Sequence, residues 1–258
     1  MKSLLKRIVP HRWHPPAVAA RARARWARSD LVRSGPFAGM RFTWEDWNPS
    51  FSAPFPKMMG TYELELHPII EGIIARTPRR IVEIGAADGY YAVGFARRLP
   101  RAEIVAFEEL AAGRELLTRF ATLNGVRERI QMHGRCEPDT LRATLQPGDI
   151  LMLDVEGYER VLLDPAAVPA LVHTPILVEC HDALVPGVSA LLESRFQATH
   201  AITRIPNRVR MIAEIPDASW LLRFYCRYNL FGWVNERVGG PMQWLFLEPK
   251  SALSSPTA

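Results

Sequence analysis

The chain of 258 residues has few cysteines and no long hydrophobic run. Cys136, Cys180 and Cys226 form no Cys-x-x-Cys pair, which argues against a zinc site or a disulfide framework and fits a reducing compartment. No stretch reaches about 18 uninterrupted apolar residues, so we expect no transmembrane helix. Prolines, histidines and an arginine within 10–16 interrupt the apolar segment that a secretory signal would need. These absences predict a cytoplasmic protein.

Several common functional motifs are also missing. The glycines at 85, 89 and 94 have the spacing G-x3-G-x4-G, which is not the G-x-G-x-x-G fingerprint of dinucleotide-binding proteins. The chain has no G-x4-G-K-[ST] loop for nucleotide phosphates, and it has no G-x-S-x-G elbow, which excludes an α/β-hydrolase. No Asn-Pro-Pro-Tyr or Asp-Pro-Pro-Tyr follows the segment 149–153, which argues against chemistry on the amino groups of nucleic-acid bases.

The basic character of the chain is confined to one end. The net charge is +5, but residues 1–33 contain nine Lys or Arg and one Asp, which leaves −3 on the rest of the chain. Because a nucleic-acid-binding domain normally carries its basic residues on the folded part, we expect no nucleic-acid partner. We interpret 1–33 as a basic arm, either packed on the domain or loose. A weak peripheral contact with an anionic membrane is the alternative.

From Arg80 onward, short apolar strands alternate with helices. The predicted strands cover 81–84, 103–107, 129–133, 149–153 and 174–180, and the predicted helices after them cover 90–99, 111–123, 138–145, 158–163 and 188–196. This alternation is typical of an α/β fold with a mostly parallel sheet that is covered on both faces. Two more strands at 202–205 and 243–247 would close the sheet as an antiparallel pair.

The chain divides into a cap and a larger α/β domain. The predicted parts are the arm 1–33, a cap segment 34–79, the α/β domain 80–250 with an aromatic insert at about 206–241, and a tail 251–258. Within the cap we predict a short hairpin, a loop and a helix that runs to Ala75. Thr61 would cap this helix, although Pro68 allows a later start.

Acidic residues follow four of the five parallel strands, at the edge where an open α/β sheet binds its ligands. Gly85 and Gly89 allow a ligand to approach the backbone at a helix N-terminus. Glu108 follows the next strand and can accept hydrogen bonds from both hydroxyls of a ribose. A phosphate site would need Lys or Arg here. The acids therefore favour a ligand with hydroxyls and a positive charge.

Two segments carry a resemblance to a known family. The loop Val82-Glu-Ile-Gly-Ala-Ala-Asp-Gly89 followed by Glu108 resembles the cofactor loop and ribose acid of class I S-adenosylmethionine-dependent methyltransferases. The segment Ile150-Leu-Met-Leu-Asp-Val-Glu-Gly-Tyr-Glu159 with Ile176-Leu-Val-Glu-Cys-His181 resembles the FkbM-type branch, which has Asp-x-Glu-Gly-x-Glu after the fourth strand. The resemblance covers about residues 58–205.

This resemblance implies a Rossmann-like, doubly wound fold with a mostly parallel seven-stranded sheet and helices on both faces. It also implies S-adenosylmethionine as the cofactor and methyl transfer, usually to a hydroxyl of a small molecule or saccharide. The chain before residue 58 and the aromatic insert after 205 lie outside the pattern. We expect these parts to determine which acceptor is methylated.

The resemblance implies ten cofactor-binding residues: Tyr62, Glu63, Glu83, Gly85, Ala86, Asp88, Gly89, Glu108, Arg135 and Asp154. Gly85, Ala86 and Gly89 would contact the cofactor through their backbone. Glu83 and Asp88 would hold the loop and the methionine ammonium group.

The other five residues complete this implied set. Glu108 would bind the ribose, Arg135 would lie near the adenine edge, and Asp154 would face the methionine end. Tyr62 and Glu63 resemble a segment that folds over the cofactor in relatives. An aromatic side chain packed at a helix start is the alternative for Tyr62.

The predicted catalytic residues are His181, Asp154 and Glu179, because the ends of their two strands should be adjacent. His181 is the candidate general base, since the ordinary pKa of histidine near 6.5 suits proton acceptance at neutral pH. One alternative is a hard divalent cation held by Asp154, Glu179 and Asp182, which would lower the pKa of the acceptor hydroxyl. Another is a non-catalytic binding module with the same fold.

Overall fold

The computed structural model describes these parts of the chain: 30–42, 53–208, 214–215, 220 and 242–253. They form two compact units, of which the smaller contains 30–42, 53–64, 214–215 and 220, and the larger contains 65–208 and 242–253. The predicted arm up to residue 29, most of the aromatic insert and the tail from 254 lie outside the described residues. The predicted domain boundaries stay predictions.

Seven strands form the sheet of the larger unit: β1 (Arg80–Ile84), β2 (Glu103–Phe107), β3 (Ile130–His133), β4 (Ile150–Leu153), β5 (Ile176–Cys180), β6 (His200–Pro206) and β7 (Gln243–Pro249). The described α-helices are α1 (Pro54–Met59), α2 (His67–Ala75), α3 (Tyr90–Arg98), α4 (Ala111–Leu123), α5 (Pro138–Thr144), α6 (Glu159–Leu162), α7 (Val188–Phe196) and α8 (Lys250–Leu253). Helix α1 belongs to the smaller unit.

The strand order is β3-β2-β1-β4-β5-β7-β6. Strands β1 to β5 are parallel, and β7 runs antiparallel between β5 and β6. The order reverses between β1 and β4, which is the switch point where open α/β sheets bind ligands. The structure confirms the predicted Rossmann-like fold and the closing antiparallel pair.

The register of the parallel strands brings their carboxyl ends to one edge. Ile84, the last residue of β1, pairs with Phe107 and Leu153, the last residues of β2 and β4. Leu153 in turn pairs with Val178 near the end of β5. Every residue of β4 and β5 is buried, as expected for parallel strands covered on both faces. The polar residues that follow these strands are therefore held at one edge by a rigid sheet.

The smaller unit contains a turn at 34–39, closed by an isolated antiparallel bridge between Leu31 and Arg41, and the short helix α1, which the sequence did not indicate. Gly60 ends α1 with a positive φ of 70°, and a Cβ there would lie 1.9 Å from the Ser34 carbonyl oxygen. This turn therefore requires glycine.

The helix predicted from Thr61 begins later, because α2 starts at His67 and its N-cap is Leu66. Pro68 lies in the first turn of α2, where its missing N–H costs nothing. The expected cap by Thr61 is wrong, and the later start that Pro68 allows is found. Within the parts of the chain described here, no helix combines the length and apolar character needed to cross a bilayer.

Candidate active site at the carboxyl edge of the sheet

The loop after β1 is built on a glycine that no other residue can replace. Gly85 has a φ of 85°, and a Cβ on it would lie 1.8 Å from the carbonyl oxygen of Asp154. The backbone N–H groups of Gly85 and Ala86 both donate to the Phe107 carbonyl, at 2.9 and 3.0 Å. The ends of β1, β2 and β4 are therefore joined through backbone atoms at the switch point.

The same loop leads into α3 through a second glycine. Gly89 is the N-cap of α3 with a φ of 86°, and a Cβ there would lie 2.7 Å from Cγ of Leu117. The buried side chain of Asp88 accepts the backbone N–H of Tyr90 at 3.2 Å. This contact shows Asp88 stabilising the start of the helix. Its predicted contact with a methionine ammonium group stays a prediction.

Glu108 connects the loops that follow β1 and β2. Its Oε2 accepts the backbone N–H of Ala87 and its Oε1 accepts that of Leu110, both at 2.8 Å. A Cβ on Gly113 would lie 2.7 Å from Cγ of Glu108, so glycine at 113 gives this side chain its room. Each carboxylate oxygen can accept more than one hydrogen bond, so the side chain can hold both loops and still receive a ligand hydroxyl.

A cavity of about 270 Å³ opens at this edge. Its lining comes from the residues after four parallel strands: Ile84, Gly85, Phe107, Glu108, Glu109, Leu110, Gly134, Arg135, Cys136, Asp154, Val155, Glu156, Tyr158 and Leu162. The volume is close to the lower end of the range for small-molecule sites. Four carboxylates and one arginine lie among apolar residues and glycines, which suits a ligand that has both an apolar ring and polar or charged groups.

Four of the ten predicted cofactor-binding residues line this cavity: Gly85, Glu108, Arg135 and Asp154. Glu83 in β1 and Ala86, Asp88 and Gly89 in the loop after it are all buried and do not line the cavity. Tyr62 and Glu63 belong to the smaller unit, where the Lys57 ammonium lies 4.9 Å from the Tyr62 ring centroid and Glu63 is buried. The predicted role of these two residues over a cofactor stays a prediction.

Arg135 is held at the cavity wall by partners that the sequence did not indicate. Its guanidinium lies 4.7 Å from the Tyr158 ring centroid, and its Nε donates to Glu137 at 2.6 Å. The Tyr158 hydroxyl donates to the same carboxylate, and the hydrogen bonds from Tyr158 and then from Arg135 lower the pKa of Glu137. Arg135 and Tyr158 therefore contact each other and the same carboxylate at the wall of the cavity.

A tight turn after β4 brings acidic side chains toward β5. Glu156 and Gly157 both have positive φ values, of 51° and 103°, and a Cβ on Gly157 would lie 2.6 Å from Cγ2 of Val185. The Asp-x-Glu-Gly-x-Glu motif thus encodes a turn that only glycine allows at its fourth position. This turn places Asp154, Glu156 and Glu159 around one histidine.

His181, the first residue after β5, is fixed from one side by Glu159. Oε1 of Glu159 accepts the backbone N–H of His181 at 2.9 Å and lies 3.2 Å from its Nδ1. Oε2 of the same carboxylate accepts the backbone N–H of Gly157 at 2.7 Å. Glu159 and His181 are almost completely buried. Sequence reasoning included Glu159 in the motif after the fourth strand but gave it no role in the site.

The other ring nitrogen of His181 faces three carboxylates. Nε2 lies 3.4 Å from Oδ1 of Asp154, 3.4 Å from Oε2 of Glu156 and 3.9 Å from Oε2 of Glu179. Burial disfavours the charged imidazolium, but the hydrogen bond to Glu159 and the charges of Asp154 and the neighbouring glutamates outweigh it, so the pKa of His181 is raised. The predicted trio of His181, Asp154 and Glu179 therefore meets in space.

The predicted cation ligands do not all converge. Asp182 turns away to α7, where its carboxylate accepts the Ser189 hydroxyl and, at 3.3 Å, the Ser189 backbone N–H. Glu179 is buried in β5. Among the described residues, the donor atoms that come within 4.8 Å of one another and could share an ion belong to Asp154, Glu156 and His181. The expected set of Asp154, Glu179 and Asp182 is thus corrected at two positions.

Comparison of the sequence with protein-family models and with curated proteins gives no match. Comparison with solved structures gives matches. One is the O-methyltransferase TomG from Streptomyces achromogenes, involved in tomaymycin synthesis and crystallised with S-adenosylmethionine, at 17% identity and a TM-score of 0.46. That match covers 69% of this chain and 77% of TomG.

Two further structures show similar values. The O-methyltransferase from Bacillus cereus in complex with S-adenosylhomocysteine is 13% identical over 69% of this chain and 78% of its own, with a TM-score of 0.47. Cofactor-bound Rv0187 from MTB is 16% identical over 91% of this chain and 97% of its own, with a TM-score of 0.49. At such values these likenesses carry no argument about activity, and the FkbM-type resemblance stays a prediction.

Proposed function

We propose that this chain is an S-adenosylmethionine-dependent methyltransferase that methylates a hydroxyl of a small molecule or saccharide. The observation that carries the proposal is the joint at the switch point, where the Gly85 backbone, Glu108 and Asp154 border one cavity. The FkbM-type pattern supports the same activity. Glu83, which was expected at this cavity, does not line it.

The chemistry of the cavity suits this cofactor. A nucleoside needs an apolar slot for its base and an acceptor for its ribose hydroxyls, and the wall of Leu110, Arg135 and Tyr158 and the carboxylate of Glu108 offer these. The cofactor also carries a sulfonium and an ammonium group. The carboxylate of Asp154, about one third exposed, offers a counter-charge at the other end of the cavity.

When bound, the cofactor supplies an electrophilic methyl group with a neutral thioether as leaving group. The tasks that remain for the protein are to hold the acceptor oxygen in line, about 3 to 3.5 Å from the methyl carbon, and to exclude water. The residues proposed for the acceptor end are His181, Asp154 and Glu179, which meet beside the cavity. A group that takes up the acceptor proton there would contribute roughly 10² to 10⁴ in rate.

Calorimetry with S-adenosylhomocysteine tests the cofactor half of the proposal. We expect saturable binding to the full chain and a loss of at least tenfold in affinity for Glu108→Ala. Glu115→Ala is the matched control, because Glu115 is an exposed acid on α4 that does not line the cavity. Thermal unfolding of both variants checks that they fold. The absence of binding to the folded wild-type chain at millimolar ligand would overturn the proposal.

A further inference from the structure

The donor atoms that meet at the ends of β4 and β5 are one nitrogen and two oxygens. They are Nε2 of His181, Oδ1 of Asp154 and Oε2 of Glu156, and all three lie within 4.8 Å of one another. His181 is only 1% exposed, and its Nε2 makes no hydrogen bond within the described residues. A buried imidazole nitrogen is thus aimed at the space between two carboxylates.

The spacing of these atoms fits the coordination shell of one ion. First-row divalent cations bind nitrogen and oxygen donors at about 2.0 to 2.2 Å, so neighbouring ligands around one ion lie about 3 to 3.5 Å apart. Nε2 lies 3.4 Å from the oxygen of Asp154 and 3.4 Å from that of Glu156. These separations are longer than direct hydrogen bonds and agree with the edges of a coordination polyhedron.

The contact at the other ring nitrogen of His181, Nδ1, also fits a histidine that binds a metal ion. Histidine ligands usually donate their second ring N–H to a carboxylate, which fixes the tautomer and the ring orientation. Glu159 supplies this carboxylate to Nδ1 at 3.2 Å and is itself held by the backbone N–H groups of His181 and Gly157. A bound cation takes the place of the proton on Nε2, so that the remaining proton lies on Nδ1 and the lone pair of Nε2 is directed at the space between Asp154 and Glu156.

The donor set discriminates between kinds of cation. Magnesium and calcium prefer sites made of oxygen atoms alone. One imidazole with two carboxylates suits Mn²⁺, Fe²⁺, Co²⁺ or Zn²⁺, and three protein donors leave positions open for water or substrate.

We propose that Asp154, Glu156 and His181 bind one divalent first-row transition cation, and that Glu159 is the positioning residue that orients His181. Binding of the cation does not depend on the proposed methyltransferase activity, but the catalytic role of the cation rests on that proposed function. A cation there lowers the pKa of an acceptor hydroxyl that reaches it, so the proton leaves to solvent. The oxygen electron pair then forms the bond to the methyl carbon, and the electron pair of the carbon–sulfur bond stays on sulfur. His181 would then be a ligand instead of the general base.

The test is Mn²⁺ binding to the full chain after treatment with a chelator and desalting. We expect one equivalent of bound Mn²⁺, with clearly weaker binding of Mg²⁺. Electron spin echo envelope modulation of the bound Mn²⁺ should show one directly coordinated nitrogen, and this signal should vanish in His181→Ala. A wild-type chain that binds no Mn²⁺ at millimolar concentration would overturn the proposal.

Matched variants separate the ligands from their surroundings. Glu156→Gln changes a side chain that is 75% exposed, so this variant should fold normally and should bind Mn²⁺ at least tenfold more weakly. Glu159→Gln should weaken it by about 10-fold to 100-fold, the usual effect of losing such a supporting contact. Glu109→Gln, an exposed acid at the same edge, should have no effect. Unchanged Mn²⁺ affinity in Glu156→Gln and His181→Ala would place the ion elsewhere and refute the site.

Parallel titration with S-adenosylhomocysteine distinguishes this proposal from the proposed function. If the chain binds S-adenosylhomocysteine but does not bind Mn²⁺, the cation site is rejected and the proposed methyltransferase activity is retained. Binding of Mn²⁺ with the nitrogen signal, but without S-adenosylhomocysteine, would keep the site and reject its use in methyl transfer.

Discussion

The two ends of the candidate site are stabilised by different groups, backbone atoms at one end and side chains at the other. Around Gly85 and Glu108, backbone atoms carry the structure, because the loop contacts are N–H groups that donate to a carbonyl or to one carboxylate. Around His181, side chains carry it, because one buried imidazole is surrounded by Asp154, Glu156 and Glu159. The first end depends on close contacts between backbone atoms, and the second end depends on interactions between charged side chains. They should therefore fail in different ways when single atoms are changed.

The largest expected effect lies at the backbone end. Gly85→Ala puts a methyl group 1.8 Å from the Asp154 carbonyl oxygen at a φ of 85°, so the backbone itself must move. We expect a loss of about 4 kcal/mol in the free energy of unfolding, because a strained φ and a backbone clash act together. Urea denaturation measures this loss. Calorimetry should also show that the variant no longer binds S-adenosylhomocysteine.

Gly134→Ala is the matched control for this change. Gly134 lines the same cavity, but it has no positive φ and a Cβ there would meet nothing within 4 Å. It should unfold within about 0.5 kcal/mol of the wild type, as substitutions away from special features do. Equal stability of Gly85→Ala and Gly134→Ala would show that the joint of β1 and β4 does not require glycine.

The next effect is expected at the charged end. Glu159→Ala removes the acceptor for two backbone N–H groups and for Nδ1 of His181 in a buried place. Breaking such a buried pair costs about 3 kcal/mol. Urea denaturation at pH 7 measures the loss, and Glu156→Ala, whose side chain is 75% exposed, is the control that should cost little. If the two variants were equally stable, Glu159 would have no structural part in holding His181.

A smaller effect is expected for Glu108, the carboxylate of the backbone end. Glu108→Ala leaves the N–H groups of Ala87 and Leu110 without their acceptor, but water can reach this edge through the cavity. We therefore expect a loss of about 2 kcal/mol in urea denaturation, less than for Glu159→Ala. A larger loss for Glu108→Ala than for Glu159→Ala would reverse the comparison between the two ends.

The sequence predicted the backbone end better than the charged end, for a physical reason. Strand periodicity and glycine spacing are local signals, and they indicated β1 to β5, Gly85 and Gly89 correctly as parts of one edge. The partners of a charged side chain depend on which loops approach each other. Asp182 was expected in a cation site but accepts hydrogen bonds from Ser189, and Glu159 was given no role although it fixes His181.

The same limit explains the differences outside the site. Helix α1 lies in a segment rich in proline and aromatics, where hydrophobic periodicity gives no clear signal. Thr61 looked like a helix cap because the residue type favours that position, yet the turn after Gly60 delays the helix to His67. Residue preferences alone therefore give no signal for α1, and for α2 they indicate the helix without fixing the residue at which it begins.

A buried histidine away from the site sharpens the contrast with His181. His200 in β6 is 1% exposed, its Nε2 lies 3.1 Å from the Thr174 carbonyl oxygen, and its Nδ1 lies 2.8 Å from the Thr199 hydroxyl. Within the described parts of the chain no carboxylate contacts this ring, and the hydrogen bond to the Thr174 carbonyl offsets burial only in part. Burial therefore lowers the pKa of His200, with smaller repulsion from His173 and Lys250, whereas carboxylates raise that of His181.

This lowered pKa predicts a pH dependence with a definite sign. Above the unfolded pKa of about 6.5, His200 is neutral in both states and its contribution to stability is complete. As the pH falls below about 6.5 toward the lower pKa of the folded state, His200 becomes protonated in the unfolded chain but stays neutral in the folded chain. The free energy of unfolding therefore decreases over this range. His200→Gln should remove this part of the slope below about pH 6.5 in urea denaturation. Equal slopes for the wild type and His200→Gln would show that burial of His200 does not oppose its protonation.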